Sequence, residues 1–176
     1  MSRRPALIVI LIALLAIVGG GYYLLADPPG EEPSTSAKGE SRPAFSLPDL
    51  DDEERAIRDW DGEVVLLNFW ASWCPPCRRE IPAFIEVQEE FGDQGLQIIG
   101  VAIDDRQAVV DFLDPMDVNY PILLAGEEGI SLAEDYGNRM GTLPYTVLID
   151  RDGEIVERWR EELSREDVAE AIEPLL

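Results

Sequence analysis

Histidine is absent from the 176 residues of this chain, and cysteine occurs only as Cys74 and Cys77. Without histidine there is no Ser/His or Cys/His catalysis and no imidazole ligand. Two thiols alone cannot complete a four-coordinate zinc site of the usual Cys/His type within one chain, so no metal site is assigned. Basic residues are also scarce: 14 Lys+Arg stand against 36 Asp+Glu, a formal net charge of −22. Such a surface repels nucleic acid phosphates and anionic lipid headgroups, which excludes nucleic acid as a partner bound through a basic patch. The acidic residues are scattered rather than gathered into a metal loop, and they read as a solvated surface. Adaptation to high salt would give the same excess. No cofactor is called for, and the available chemistry belongs to thiols and carboxylates.

What is present divides the chain into three parts. From Ala6 to Ala26, "ALIVILIALLAIVGGGYYLLA" carries no charge, and as a helix it would cross a hydrocarbon core roughly 30 Å thick. Arg3 and Arg4 precede it, while Asp27, Glu31 and Glu32 follow. This asymmetry places the N-terminus in the cytoplasm and the rest outside. "YYLLADPP" lacks a small-x-small cleavage site, so residues 1–26 read as an uncleaved anchor rather than a signal peptide. Residues 27–43, rich in proline, glycine and acidic side chains, read as a solvated linker, and a folded domain is expected over 44–176.

Within that domain strand and helix signals alternate. "EVVLLNFW" (Glu63 to Trp70) and "LQIIGVAID" (Leu96 to Asp104) are apolar runs of strand length. Between them, Ile81, Phe84, Ile85 and Phe91 share one face of a helix that Gly92 ends. "DRQAVVDFLDPM" predicts a short helix, "YPILLAG" an extended piece, and "SLAEDYG" a helix with Ser131 as its cap and Gly137 as its stop. "YTVLID" and "EIVERWR" flank the turn Arg151-Asp152-Gly153 as a hairpin, and a last helix is capped by Ser164. The pattern predicts an α/β fold, a mixed β-sheet flanked by helices.

The two cysteines fall where the first buried strand ends and a helix begins. Pro75 and Pro76 supply a fixed φ suited to a helix start. At that position Cys74 lies near the unpaired N–H groups and the positive end of the helix dipole, with Arg78 and Arg79 close by, and these favour a thiolate. Cys77 faces the same side one turn in, where it can close a disulfide with Cys74. A disulfide closing so small a loop restrains the unfolded chain little, so the pair reads as a redox centre rather than a staple.

"NFWASWCPPCRREIP" resembles the thioredoxin fold, and specifically the membrane-anchored TlpA/ResA-type thiol-disulfide oxidoreductases, with the CcmG-type cytochrome c maturation thioredoxins as near relatives. The resemblance runs from about Phe45 to Leu176 and includes "FSLPDL" and "LPYTVLIDRDGEIV". It implies that Cys74 is the attacking thiol, Cys77 the resolving thiol and Glu80 a proton carrier for Cys77. It also implies that Trp73, Pro75, Pro76, Leu143 and Pro144 meet the substrate, with Pro144 a cis-proline. Asn68 stands where cytosolic thioredoxins carry an aspartate, which leaves Glu80 or water to move the proton. The activity so implied is reduction of protein disulfides outside the cytoplasm, including those of apocytochrome c. A membrane-embedded thiol reductase would be the electron donor. A disulfide-forming oxidase on the same fold, or a copper- or apoprotein-binding chaperone, are the alternatives this sequence leaves open.

Overall fold

The computed structural model describes residues 39–176. The expected anchor lies outside the described residues, and among the described residues no helix is long and apolar enough to cross a membrane. In chain order the strands are β1 (Glu40–Ser41), β2 (Ser46–Pro48), β3 (Glu54–Ala56), β4 (Val64–Trp70), β5 (Leu96–Ala102), β6 (Ile122–Leu124), β7 (Tyr145–Ile149) and β8 (Glu154–Trp159). The helices are α1 (Pro75–Phe91), α2 (Arg106–Leu113), α3 (Glu128–Asp135) and α4 (Arg165–Ile172).

Every residue of β4 is buried, which is what a continuous apolar run requires. It lies at the heart of a sheet ordered β1-β8-β7-β4-β5-β6, parallel to β5 and antiparallel to β7. Strands β2 and β3 form a separate two-stranded ribbon. Side chains of β4 alternate between the two faces. Val64, Leu66 and Trp70 join Ile81, Phe84 and Val87 of α1, Val109 of α2 and Val168 and Ile172 of α4 in one core. Val65, Leu67 and Phe69 join Ala133 of α3 and Tyr136, Tyr145 and Val147 in the other. Each large apolar side chain so buried contributes about 1.5–3 kcal/mol relative to exposure. The mixed sheet with helices on both faces is the architecture the sequence predicts.

Local signals account for most boundaries. Ser164 caps α4 in a reciprocal box: its hydroxyl accepts from the Asp167 N–H, and the Asp167 carboxylate accepts from the Ser164 N–H at 2.9 Å. In the β7–β8 turn, Asp150 Oδ1 accepts from the N–H groups of Asp152 at 3.0 Å and Glu154 at 2.9 Å. Gly137, at φ +102, lets the chain turn after α3 where a side chain would be strained.

Two boundaries differ from expectation. Helix α3 begins at Glu128, so Ser131 lies inside it, its hydroxyl donating back to Glu128 O at 2.9 Å rather than capping. Glu40 and Ser41, read as linker, pair antiparallel with Ile155 and Glu154 of β8, so ordered structure starts ahead of Ala44. Their side chains carry no apolar signal because the pairing is made by main chain at a sheet edge.

Candidate active site

The site grows out of the C-terminal end of β4. Ile103 N–H donates to Trp70 O at 2.8 Å, and Ser72 then bonds Asp104 twice, through its N–H at 2.9 Å and its hydroxyl at 2.6 Å, both to Oδ2. Asp104 follows β5, the parallel neighbour of β4, so the two strand ends hold the turn that leads into the cysteines. Cys74 N–H closes that turn onto Ala71 O at 3.1 Å.

Cys74 occupies the N-cap of α1 in extended conformation, and its Sγ accepts from the Cys77 N–H at 3.4 Å. A sulfur there faces the unpaired amides of the first turn, which stabilise negative charge on it. Cys74 and Cys77 form a disulfide, S–S 2.08 Å, with Cα atoms 5.3 Å apart. Cys74 is 3% exposed and Cys77 fully buried, so a partner reaches Cys74 first. The two arginines do not add to this field as the sequence suggests. Arg78 lies over the Phe112 ring, 4.9 Å from its centroid, and Arg79 is paired with Glu162.

Glu80 lies one turn beyond Cys77 and is only 1% exposed. Asn68 sits on the α1 face of β4, directly opposite Thr146 of β7. Its Nδ2 donates to Glu80 Oε1 at 2.8 Å and to Thr146 Oγ1 at 3.0 Å. Leu163 N–H donates to Glu80 Oε2 at 3.3 Å, so each carboxyl oxygen has a donor. Burial pushes the Glu80 carboxyl up to about 8; the bonds from Asn68 and Leu163 pull it down less strongly, and the Glu162 charge adds to the push. That value lies near the ordinary range of a thiol, where proton exchange between the two groups costs little.

Trp73 is 65% exposed beside the buried Cys74, whereas Trp70 belongs to the core. Trp73 and Leu143 line one apolar recess with Ile103, Ile130, Ala133, Asn138 and Gly141. Pro75 lines a different groove with Arg78, Arg79, Phe112 and Met116. The structure therefore divides the substrate-facing residues expected from the sequence between two sides of Cys74. Pro76 is half-buried in the first turn of α1, and Pro144 is buried with the Leu143–Pro144 peptide bond cis, as the resemblance implied.

Four contributors escape sequence reading. Asn138, buried, brackets the loop before Pro144: its Nδ2 donates to Thr142 O at 2.8 Å and its Oδ1 accepts from Thr142 N–H at 3.3 Å. The signal was an Asn directly after the Gly that stops α3. Ile130 and Met140, 50% and 76% exposed, extend the apolar surface around the recess and the loop; nothing in their sequence context marked them. Asp104 was visible only as the end of a strand.

A model of the AhpC/TSA family matches residues 39–158. The chain is 37% identical over 124 residues to the thiol-disulfide oxidoreductase ResA of Halalkalibacterium halodurans, covering 70% of this chain and 68% of that protein. With ResA of Geobacillus thermodenitrificans it shares 32% over 145 residues, 82% of this chain and 81% of the other. A crystal structure of a thiol:disulfide interchange protein of the thioredoxin family from Chlorobium tepidum superposes with a TM-score of 0.71 at 26% identity, covering 78% of this chain and 97% of that one. With a closed cysteine pair at a helix start and these relatives, the chain belongs to the AhpC/TSA family and is a thiol-disulfide oxidoreductase of the ResA type.

Proposed function

We propose that this oxidoreductase reduces protein disulfides, including those between haem-binding cysteines of apocytochrome c, while held to the outer face of the cytoplasmic membrane by residues 6–26. The observation that carries the reading is the placement of a buried Glu80 one turn from the buried Cys77, with its carboxyl pushed up to about 8 so that its ionised fraction is a base matched to a thiol. Cys74 thiolate attacks one sulfur of a substrate disulfide, the S–S bond breaks, and the other substrate sulfur leaves as a thiolate that takes a proton from water. Cys77 then gives its proton to the Glu80 carboxylate and attacks Cys74 Sγ, releasing the second substrate sulfur. The substrate gains two electrons, and the enzyme ends in the disulfide form. A membrane-embedded thiol reductase returns two electrons for the next cycle. The long uncharged run after Arg3 and Arg4 supports the location, and the ResA-type relatives support thiol-disulfide exchange as the chemistry.

The test is Cys77→Ser in the full chain, which should accumulate partners disulfide-linked to Cys74 for identification by mass spectrometry. If Cys74→Ser traps partners instead, the assignment of attacker and resolver is reversed. A reduction potential near about −120 mV, the range of strong oxidants, would replace the reductive direction with disulfide formation.

A further inference from the structure

Arg79 and Glu80 are consecutive on α1, and Glu162 and Leu163 are consecutive in the connection between β8 and α4. The two dipeptides meet residue by residue. On the outside, Arg79 Nε donates to Glu162 Oε2 at 2.9 Å and Oε1 at 3.2 Å, and Nη2 donates to Oε2 at 2.5 Å. On the inside, Leu163 N–H meets Glu80 Oε2 at 3.3 Å. The outer contact is solvent-facing, with the Arg79 and Glu162 side chains 60% and 37% exposed, while the inner one is buried. No strand ladder holds the connection at this point. An exposed ion pair adds little to stability, but a three-bond guanidinium–carboxylate contact fixes direction well.

We propose that the Arg79–Glu162 pair is a positioning clamp, holding the segment that presents Leu163 N–H to Glu80 and setting, through its two opposite charges, how readily Glu80 exchanges a proton. The inference rests on the reading of Glu80 as the proton acceptor for Cys77. The other groups around Glu80 carry no formal charge: Asn68 from β4, itself bonded to Thr146 of β7, and the buried Tyr120 ahead of β6, whose phenol burial keeps protonated. Glu162 disfavours the ionised form of Glu80, and Arg79 neutralises Glu162.

Opposite consequences follow for the two halves of the clamp. Glu162→Gln keeps an acceptor for Arg79 but removes the negative charge, so Glu80 should ionise at lower pH. Arg79→Gln leaves the Glu162 charge uncompensated and loosens the Leu163 segment, so Glu80 should ionise at higher pH. For charges near the surface, each shift is on the order of several tenths of a pH unit, roughly a two- to fourfold change in ionised Glu80 at neutral pH. The double variant removes both charges and keeps only the loss of the clamp, so Glu80 should ionise above the parent but below Arg79→Gln.

The experiment is titration of the Glu80 carboxyl carbon by NMR in the full chain, together with the pH profile of the Cys77-dependent step against a small-molecule disulfide. Shifts of opposite sign in both readouts support the clamp. Shifts of the same sign, or none in the carboxyl titration, overturn it and leave a surface ion pair. Glu80→Gln separates the two ideas: if it leaves the kinetic profile unaltered, proton exchange through Glu80 fails, while the carboxyl titration of the other variants still decides the clamp.

Discussion

Ser72 meets Asp104 through both its amide and its hydroxyl, at 2.9 and 2.6 Å on the same carboxylate oxygen. The nucleophile's turn is thereby fastened to the end of the neighbouring parallel strand, independently of the proton chemistry around Glu80. Asp104→Ala should cost about 1–2 kcal/mol, because two donors lose a charged acceptor in a partly buried place. The attack of reduced Cys74 on a small disulfide should slow several-fold at every pH, with no change in the profile's midpoint. Urea denaturation and stopped-flow rates across pH check both; a moved midpoint would mean that Asp104 acts on the thiol electrostatically.

Glu80 makes stability depend on pH. In the unfolded chain it titrates near the ordinary 4.5 and in the fold at about 8. Between those values the native state keeps a proton that the unfolded state has lost. Its contribution is therefore fully present below about 4.5 and is lost as pH rises through 8. Glu80→Gln does not titrate, so its stability relative to the parent should improve from pH 5 to pH 9. The gain is at most about 1.4 kcal/mol for each pH unit that separates the folded and unfolded titrations, a few kcal/mol in total. Denaturation of the disulfide form at the two pH values measures it, and a constant difference would assign Glu80 an ordinary titration.

Asn68 works against the burial of Glu80 by donating to the ionised form. Asn68→Ala should move the Glu80 titration further up, by about half to one pH unit, and shift the Cys77-dependent step the same way. The loss of its bonds to Glu80 and Thr146 should also destabilise the fold, by about 1–3 kcal/mol. Carboxyl NMR titration against the parent is the measurement. A downward shift would mean that water enters the gap and solvates the carboxylate.

Ile130 and Trp73 line an apolar recess on one side of Cys74, and the exposed Met140 directly precedes Gly141 of its lining. Ile130→Ser combined with Met140→Ser should raise KM for a disulfide-bonded protein substrate several-fold, since each removes apolar area from a docking surface, and leave the reaction with a small disulfide within twofold. Comparing the two substrates on the same preparations is the check. Equal losses on both would make the pair structural.

The elements that position the site were legible for a plain reason. Strand β4 is a bounded apolar run, α1 carries a helical face, and the cysteines stand at their junction, so local pattern alone set the geometry of Cys74 and Cys77. Glu80 was legible as a position, but its environment was not. Leu163, one of its two donors, contributes a backbone amide from a segment 83 residues away, and an amide has no residue-type signature. Arg78 and Arg79 looked like charges offered to Cys74 because sequence proximity is visible, while their actual partners, Phe112 and Glu162, are brought in by packing. Ser131 misled for the opposite reason: a good capping residue sits inside a helix that had already begun at Glu128.

The outer strands of the sheet have one more consequence. β1 is two residues long, and β6 is three and is met by a bridge from Asp49 to Leu123. Among the described residues neither margin offers the long unpaired backbone that another chain could extend, so strand addition there has little to start from. That matters for a thiol-disulfide oxidoreductase, whose exchange passes through a mixed disulfide with its partner. A partner joined to the cysteine pair therefore meets no long open strand edge among the described residues on which a second chain could build.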